Sequence, residues 1–195
     1  MFWKAVRPLL AEDAGALEQF DQVGRGFAEA MQKQIQRMWA IKLGLTEFNP
    51  ELFEKLMQLM THSDVDYTIF FRELSHIPDD VSPLKKSFYG KTSQQLDEQW
   101  QTWLKSWRGL ISGGNLAEIS MNMKQINPKY TWREWLIVPA YQQAMQGDYT
   151  LVKELQAVLS YPYDEQSQDV EDKYYRLRPS AFSDVGGVSH YSCSS

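Results

Sequence analysis

The sequence predicts an all-α fold. Apolar residues recur at spacings of three, four and seven along nearly the whole chain, the period of helices that bury one face. Alternating apolar–polar runs long enough to form a strand are missing. Asn-Pro, Gly-Gly and Gly-Asp pairs separate the periodic segments, where helices would stop and start.

The first segment is a short helix over residues 2–12, with Trp3, Val6 and Leu10 on one side. A longer helix spans 16–43, where Phe20, Phe27, Met31, Ile35 and Met38 recur at helical spacing. Gly24 and Gly26 weaken its first half by about 1 kcal/mol each relative to Ala. Gly44 is placed to end it in a left-handed turn. Asn49-Pro50-Glu51 opens the next helix: Asn caps, Pro takes the first turn, and Glu meets the positive end of the dipole. Leu52, Phe53, Leu56, Met57 and Met60 form its apolar face. Asp66 caps a helix carrying Tyr67, Phe70, Phe71 and Leu74, which stops near Ile77-Pro78.

Residues 78–92 hold two prolines, two aspartates and a glycine and read as a loop. A strongly amphipathic helix follows, with Leu96, Trp100, Trp103, Leu104, Trp107, Leu110 and Ile111 on one stripe and Gly113-Gly114 at its end. Asn115 caps a short helix running to about Gln125, and Asn127-Pro128 breaks the chain. Thr131 begins a helix containing Trp132, Trp135 and Leu136. Pro139 should kink it or lie in its first turn, because proline supplies no amide hydrogen. Gly147-Asp148 leads into a last helix with Leu151, Leu155, Val158 and Leu159. From Tyr161 onward, Pro162, Pro179, Gly186-Gly187 and a Ser-rich end predict an extended tail. The expected organisation is therefore one helical domain over 1–160 and a tail over 161–195.

Composition bounds the function. With 195 residues, 43% of them hydrophobic, the chain is long enough to build a packed core. Seven Trp supply large rings that bury much area per position. A net charge of −5 and a pI of 5.3 argue against a protein that tracks nucleic-acid phosphates. No run of about 18 apolar residues occurs, so no membrane span is expected. Met1-Phe2-Trp3-Lys4 opens no apolar signal region, so no signal peptide is read there. A single Cys rules out a disulfide within the chain and a zinc–thiolate cage, and a reducing cytoplasm is the default setting.

The search for chemistry is mostly negative. Gly24-Arg25-Gly26 is the nearest approach to a phosphate-binding loop, but it lacks the third glycine, follows no strand and lies inside helical periodicity. No Walker A lysine pattern, His-Arg-Asp triplet or Asp-Phe-Gly triplet occurs. His62, His76 and His190 are not spaced as metal ligands and read as surface or cap residues. The acidic pairs Asp79-Asp80, Asp164-Glu165 and Glu171-Asp172 are candidate cation ligands, but in loops they read first as solvated charge. The Trp100, Trp103 and Trp107 stripe reads as core before partner surface. Cys193, in Ser192-Cys193-Ser194-Ser195, is either an incidental thiol or a site for redox chemistry, intermolecular disulfide formation or soft-metal capture.

Six stretches, in this order, resemble the selenoprotein O (SelO) family. They are Lys42-Leu43-Gly44-Leu45; Val65-Asp66-Tyr67-Thr68-Ile69-Phe70-Phe71-Arg72; Asn127-Pro128-Lys129-Tyr130 with Arg133; Gly147-Asp148-Tyr149; Tyr161-Pro162-Tyr163-Asp164-Glu165-Gln166; and Cys193-Ser194-Ser195. The resemblance implies the helical C-lobe portion of a protein-kinase-like fold, with a C-terminal helical extension and an irregular tail. It implies a protein adenylyltransferase that binds ATP in an inverted orientation, uses magnesium or manganese and transfers AMP to hydroxyl side chains of other proteins. Family members are associated with bacterial cytoplasm or mitochondria and with redox homeostasis.

The position of Cys193 is selenocysteine in some members, which implies a redox role for this thiol and a possible disulfide partner in the kinase-like part. The family's nucleotide and metal ligands lie in an upstream region that has no counterpart here. No catalytic, cofactor-binding or metal-binding residue is therefore carried over, and the implied partner is that upstream portion or another protein. The chain also departs from the family at Glu134, where Asn is usual, and at Leu136-Ile137-Val138-Pro139. Two alternatives stay open: a separate helical interaction module tethered through Cys193, and a degenerate truncated product.

Overall fold

A computed structural model describes residues 5–182. Among the described residues eight full α-helices follow one another: α1 (Ala14–Lys42), α2 (Pro50–His62), α3 (Tyr67–Leu74), α4 (Gln94–Ile111), α5 (Leu116–Ile126), α6 (Glu134–Ala144), α7 (Thr150–Leu159) and α8 (Gln168–Tyr174). Short 3-10 turns lie at Arg7–Leu10, Pro83–Ser87 and Ser180–Phe182. Among the described residues the only β pairing is a single bridge between Val65 and Phe88.

Local chemistry explains most helix starts. Asn49 accepts from the Leu52 amide, Asp66 from Ile69, Ser93 from Leu96, and Asn115 from Ala117 and Glu118. Each side chain satisfies a donor that the first helical turn leaves without an intrahelical partner. Gly44 ends α1 at φ +66°, and a Cβ there would sit 2.7 Å from Ile119 Cγ2 and Met123 Sδ. Glycine is thus required both for the turn and for the close approach of α5.

The main core forms where α2 packs along α4 and the 3-10 turn at Pro83–Ser87 packs on α3. Phe70, Phe71 and Leu74 from α3 meet Leu52, Leu56 and Leu59 from α2 and Trp100, Trp103, Leu104, Trp107 and Ile111 from α4. The tryptophan stripe is therefore core. Each indole N–H has a partner: Trp100 donates to Ser63 Oγ, Trp103 to the Leu52 carbonyl and Trp107 to the Leu43 carbonyl. The Trp103 and Trp107 rings stack with their planes 3° apart. A second cluster lies on the other side of α3. There Ile69 meets Tyr130, Ala140, Leu155, Val158, Tyr174 and Tyr175 where α6 packs against α7.

Several expectations need correction. The first segment is α-helical at residues 5–6 but tightens into a 3-10 turn over Arg7–Leu10 and ends there rather than at residue 12, and Trp3 lies outside the described residues. The 78–92 loop contains a 3-10 turn with Leu84 and Ser87 fully buried. The helix expected from Thr131 starts at Glu134 and leaves Trp132 exposed. Pro139 lies in the interior of α6 rather than in its first turn, and removes the bond its amide would have made to the Trp135 carbonyl.

The stretch from Tyr161, expected to be extended, contains α8, and both Tyr174 and Tyr175 are buried. Proline and glycine at the ends of this stretch outweighed, in the sequence reading, the Val170/Tyr174 spacing that makes one helical face. No described helix is long and apolar enough to cross a membrane.

Helix α1 stands apart. Its first half meets the 3-10 turn at Arg7–Leu10, where Arg7 pairs with Asp21, and its last turns meet α5 and, through Trp39, the rings of Phe53, Tyr67 and Phe71; its buried residues are Ala40 and Lys42. From residue 25 to residue 35 every side chain is exposed.

Candidate functional site

Four of the six stretches flagged in the sequence, those holding Lys42, Arg72, Asn127 and Glu165, converge on one buried polar knot, whereas Asp148 and Tyr149 stay exposed outside it. At its centre is Asn127, fully buried at the end of α5. Its amide donates to the Lys42 carbonyl at 2.9 Å and to Ser75 Oγ at 3.1 Å, and its Oδ1 accepts from Lys42 Nζ at 2.7 Å. Lys42 reaches this position from the last turn of α1. Its ammonium lies 4.7 Å from the Phe71 ring centroid and 5.1 Å from that of Tyr67. An amide and two aromatic faces meet this charge where a carboxylate would usually stand. Burial consequently pulls the Lys42 pKa down to about 8.

Next to Asn127, Arg72 projects inward from α3. One guanidinium nitrogen donates to the Lys124 and Asn127 carbonyls at 3.0 and 3.2 Å, and another to Glu165 at 2.5 Å. The Arg72 side chain is 2% exposed and that of Glu165 58%, so this pair runs from interior to surface. Glu165 also accepts from Lys129 Nζ at 2.5 Å, and Lys129 reaches Glu171 at 2.6 Å. Partial burial would raise the Glu165 pKa, but the hydrogen bonds from Lys129 and Arg72 prevail and hold it near 2. For Lys129 desolvation is likewise outweighed by its two carboxylates, and its pKa is raised. The backbone amides of Lys129 and Tyr130 both donate to the Pro162 carbonyl, fixing the segment before α6 to the segment before α8. Lys86 joins the rim, 3.3 Å from Glu171 and 3.4 Å from Glu73.

A second clamp ties the same region together. Arg133 grips Asp66 with two bonds, at 2.5 and 2.9 Å, while Asp66 caps α3 and accepts from the Tyr89 hydroxyl. Fork-to-carboxylate geometry of this kind fixes orientation as well as distance.

The remaining candidates are placed plainly. Gly24-Arg25-Gly26 lies within α1 as continuous helix, and Arg25 pairs with Glu18 at 2.6 Å. His62 sits exposed at the end of α2 with Nδ1 2.7 Å from the Gln58 carbonyl, and His76 is exposed after α3. Asp79 pairs with Arg108 at 2.7 Å, Asp80 accepts from the Ser82 amide, and Asp172 accepts from Gln168. Asp164 is exposed. Among the described residues no three His, Cys, Asp or Glu side chains converge as a metal-ligand set. His190 and Cys193 lie outside the described residues. The donors present do not fit a triphosphate or its metal: the basic groups of the knot are held by carboxylates, carbonyls and an amide of the chain itself. The knot is a cross-link between distant segments, built to fix a surface in place.

Sequence reasoning missed the knot because it read Asn127 as a chain breaker and Glu165 as solvated charge. The available signal was that both belong to the family-like strings that also supply Lys42, Asp66, Arg72, Lys129 and Arg133.

Comparison with known proteins decides the family. A family model described as "Protein adenylyltransferase SelO" matches residues 4–160. The chain belongs to the SelO family. Among relatives of this SelO chain, the protein nucleotidyltransferase YdiU of Aromatoleum aromaticum is 33% identical over 180 residues, which cover 87% of this chain and 34% of that protein. The YdiU protein of Tolumonas auensis is 35% identical over 179 residues, with the same coverages. That of Flavobacterium johnsoniae is 29% identical over 204 residues, covering 98% of this chain and 38% of its own length. The SelO chain described here thus spans about a third of the length of the curated relatives it matches.

Proposed function

We propose that this chain is the helical C-terminal part of a SelO-type protein adenylyltransferase. In this reading it takes part in AMP transfer from ATP to hydroxyl side chains of other proteins only when joined to polypeptide that supplies the nucleotide and metal ligands. One observation carries the reading: a family match over residues 4–160 in a chain that spans 34–38% of its relatives' length. The internal pairing of the knot supports it: Lys42, Arg72 and Lys129 each bond to groups of the chain, with Arg72 Nε left without a partner, and a scaffold needs such internal partners where a phosphate site would need unengaged donors. ATP with magnesium or manganese would then be held outside this chain. Cys193 would act as an oxidisable thiol able to pair with a cysteine elsewhere. The relatives named above are bacterial, which favours a cytoplasmic setting.

Titration calorimetry of the chain with magnesium-ATP tests the division of labour. No heat of binding is expected, and a clear micromolar isotherm would overturn it. Transfer of labelled AMP to protein should be seen with a longer polypeptide that contains this chain and should be absent with the chain alone.

A further inference from the structure

We propose that the bare stripe of α1 is the seam on which this helix packs against the additional polypeptide that longer SelO proteins carry. The inference rests on the functional reading above only in taking that polypeptide as the occupant. Val23, Phe27, Met31, Ile35, Met38 and Ile41 are all exposed, Val23 and Phe27 by 66% and 63%. At about 100° per residue they fall within an arc of roughly 120°, an apolar seam interrupted by Gln34. Glu29 and Lys33 fall on the opposite side of the same turns. The helix is therefore built with one face for water and one for protein, and the second face is uncovered.

A further feature points to a cover. Around residues 25–35 every position is exposed, and isolated helices in water are marginal, so this stretch gains no packing stability from the described residues.

The occupant follows from length. Helix α1 lies within residues 4–160, so it is part of what the family shares, and the relatives that share it are about three times as long as the part they match. Additional protein is therefore present wherever the family's α1 is found in those relatives, whether or not a second copy is.

Hydrogen exchange on two proteins tests the seam. One is the chain alone; the other is the Tolumonas auensis relative with its matched stretch replaced by this chain. Amides of residues 25–35 should exchange at least about tenfold more slowly in the chimera. Phe27→Asp combined with Ile35→Asp should remove that protection and lower the chimera's Tm while leaving the Tm of the chain alone unchanged. Lys33→Ala, on the opposite face, should change neither.

Equal exchange in both proteins overturns the proposal. Protection in the chain alone that grows with concentration also overturns it, in favour of a second copy. AMP transfer by the chimera is read separately. A protected but inactive chimera upholds the seam and defeats the functional reading, whereas an active chimera with unprotected α1 does the reverse.

Discussion

Helices α1 and α4 both carry bulky apolar side chains at helical spacing, yet they sit in opposite surroundings. In α4 the stripe is closed over by α2 and α3 except at Leu110, which is 51% exposed; every indole N–H has a partner, and Trp100 and Trp107 are fully buried. In α1 the stripe from Val23 to Ile41 faces outward, while the last turns touch α5 and the first half touches the 3-10 turn at Arg7–Leu10. Periodicity dictates that a segment is helical and which face is apolar. What covers that face is a property of the rest of the polypeptide, so two stripes of equal quality in the sequence can differ completely in the energy they contribute.

Substitutions should expose the difference, and the largest effect is expected in α4. Trp107→Ala should destabilise the chain by about 3–5 kcal/mol in urea unfolding, since it leaves a cavity and orphans the Leu43 carbonyl. Asn127→Ala should follow at about 2–3 kcal/mol, because it strands the buried Lys42 ammonium and Ser75 without their amide partner.

The same ammonium gives a pH signature. Its folded pKa of about 8 lies below the ordinary lysine value of 10.5, so between those values the unfolded chain binds more protons. Stability should therefore rise as pH climbs from about 8 to 10.5, and Lys42→Met should abolish the rise. Glu165 acts at the other end. Its pKa is held near 2 against 4.5, so its contribution is fully present above 4.5 and is lost as pH falls toward 2.

In α1 the effects should be small and one should reverse sign. Gly26→Ala should stabilise the chain alone by about 0.5–1 kcal/mol, seen as a higher helical signal and Tm. Phe27→Ala should change stability by less than about 0.5 kcal/mol. A large loss for Phe27→Ala in the isolated chain would mean that the stripe is already covered.

The helices and their starts were legible because they are set locally. Asn49, Asp66 and Asn115 each act within three residues of themselves, and Gly44 ends α1 as its position demands. Helix α8 was less legible because seven residues hold too few apolar positions to outweigh the prolines and glycines on either side. The knot was illegible for a different reason. Lys42 meets Asn127 across 85 positions and Arg72 meets Glu165 across 93, and no window along the chain contains both members of either pair. Resemblance to the family marked these residues as a set without saying that they touch.

The reach of that last pair bears on how the chain is made. Synthesis proceeds from the N-terminal side, so Arg72 and Lys129 emerge before Glu165 and Glu171, and these two cations destined for the interior wait for Glu165 across 93 and 36 positions of chain. The segment that looks most like an appendage is the latch that closes last. A nascent chain released before residue 165 would hold the helices of the first core but strand both charges, making it a substrate for quality control rather than a smaller working protein.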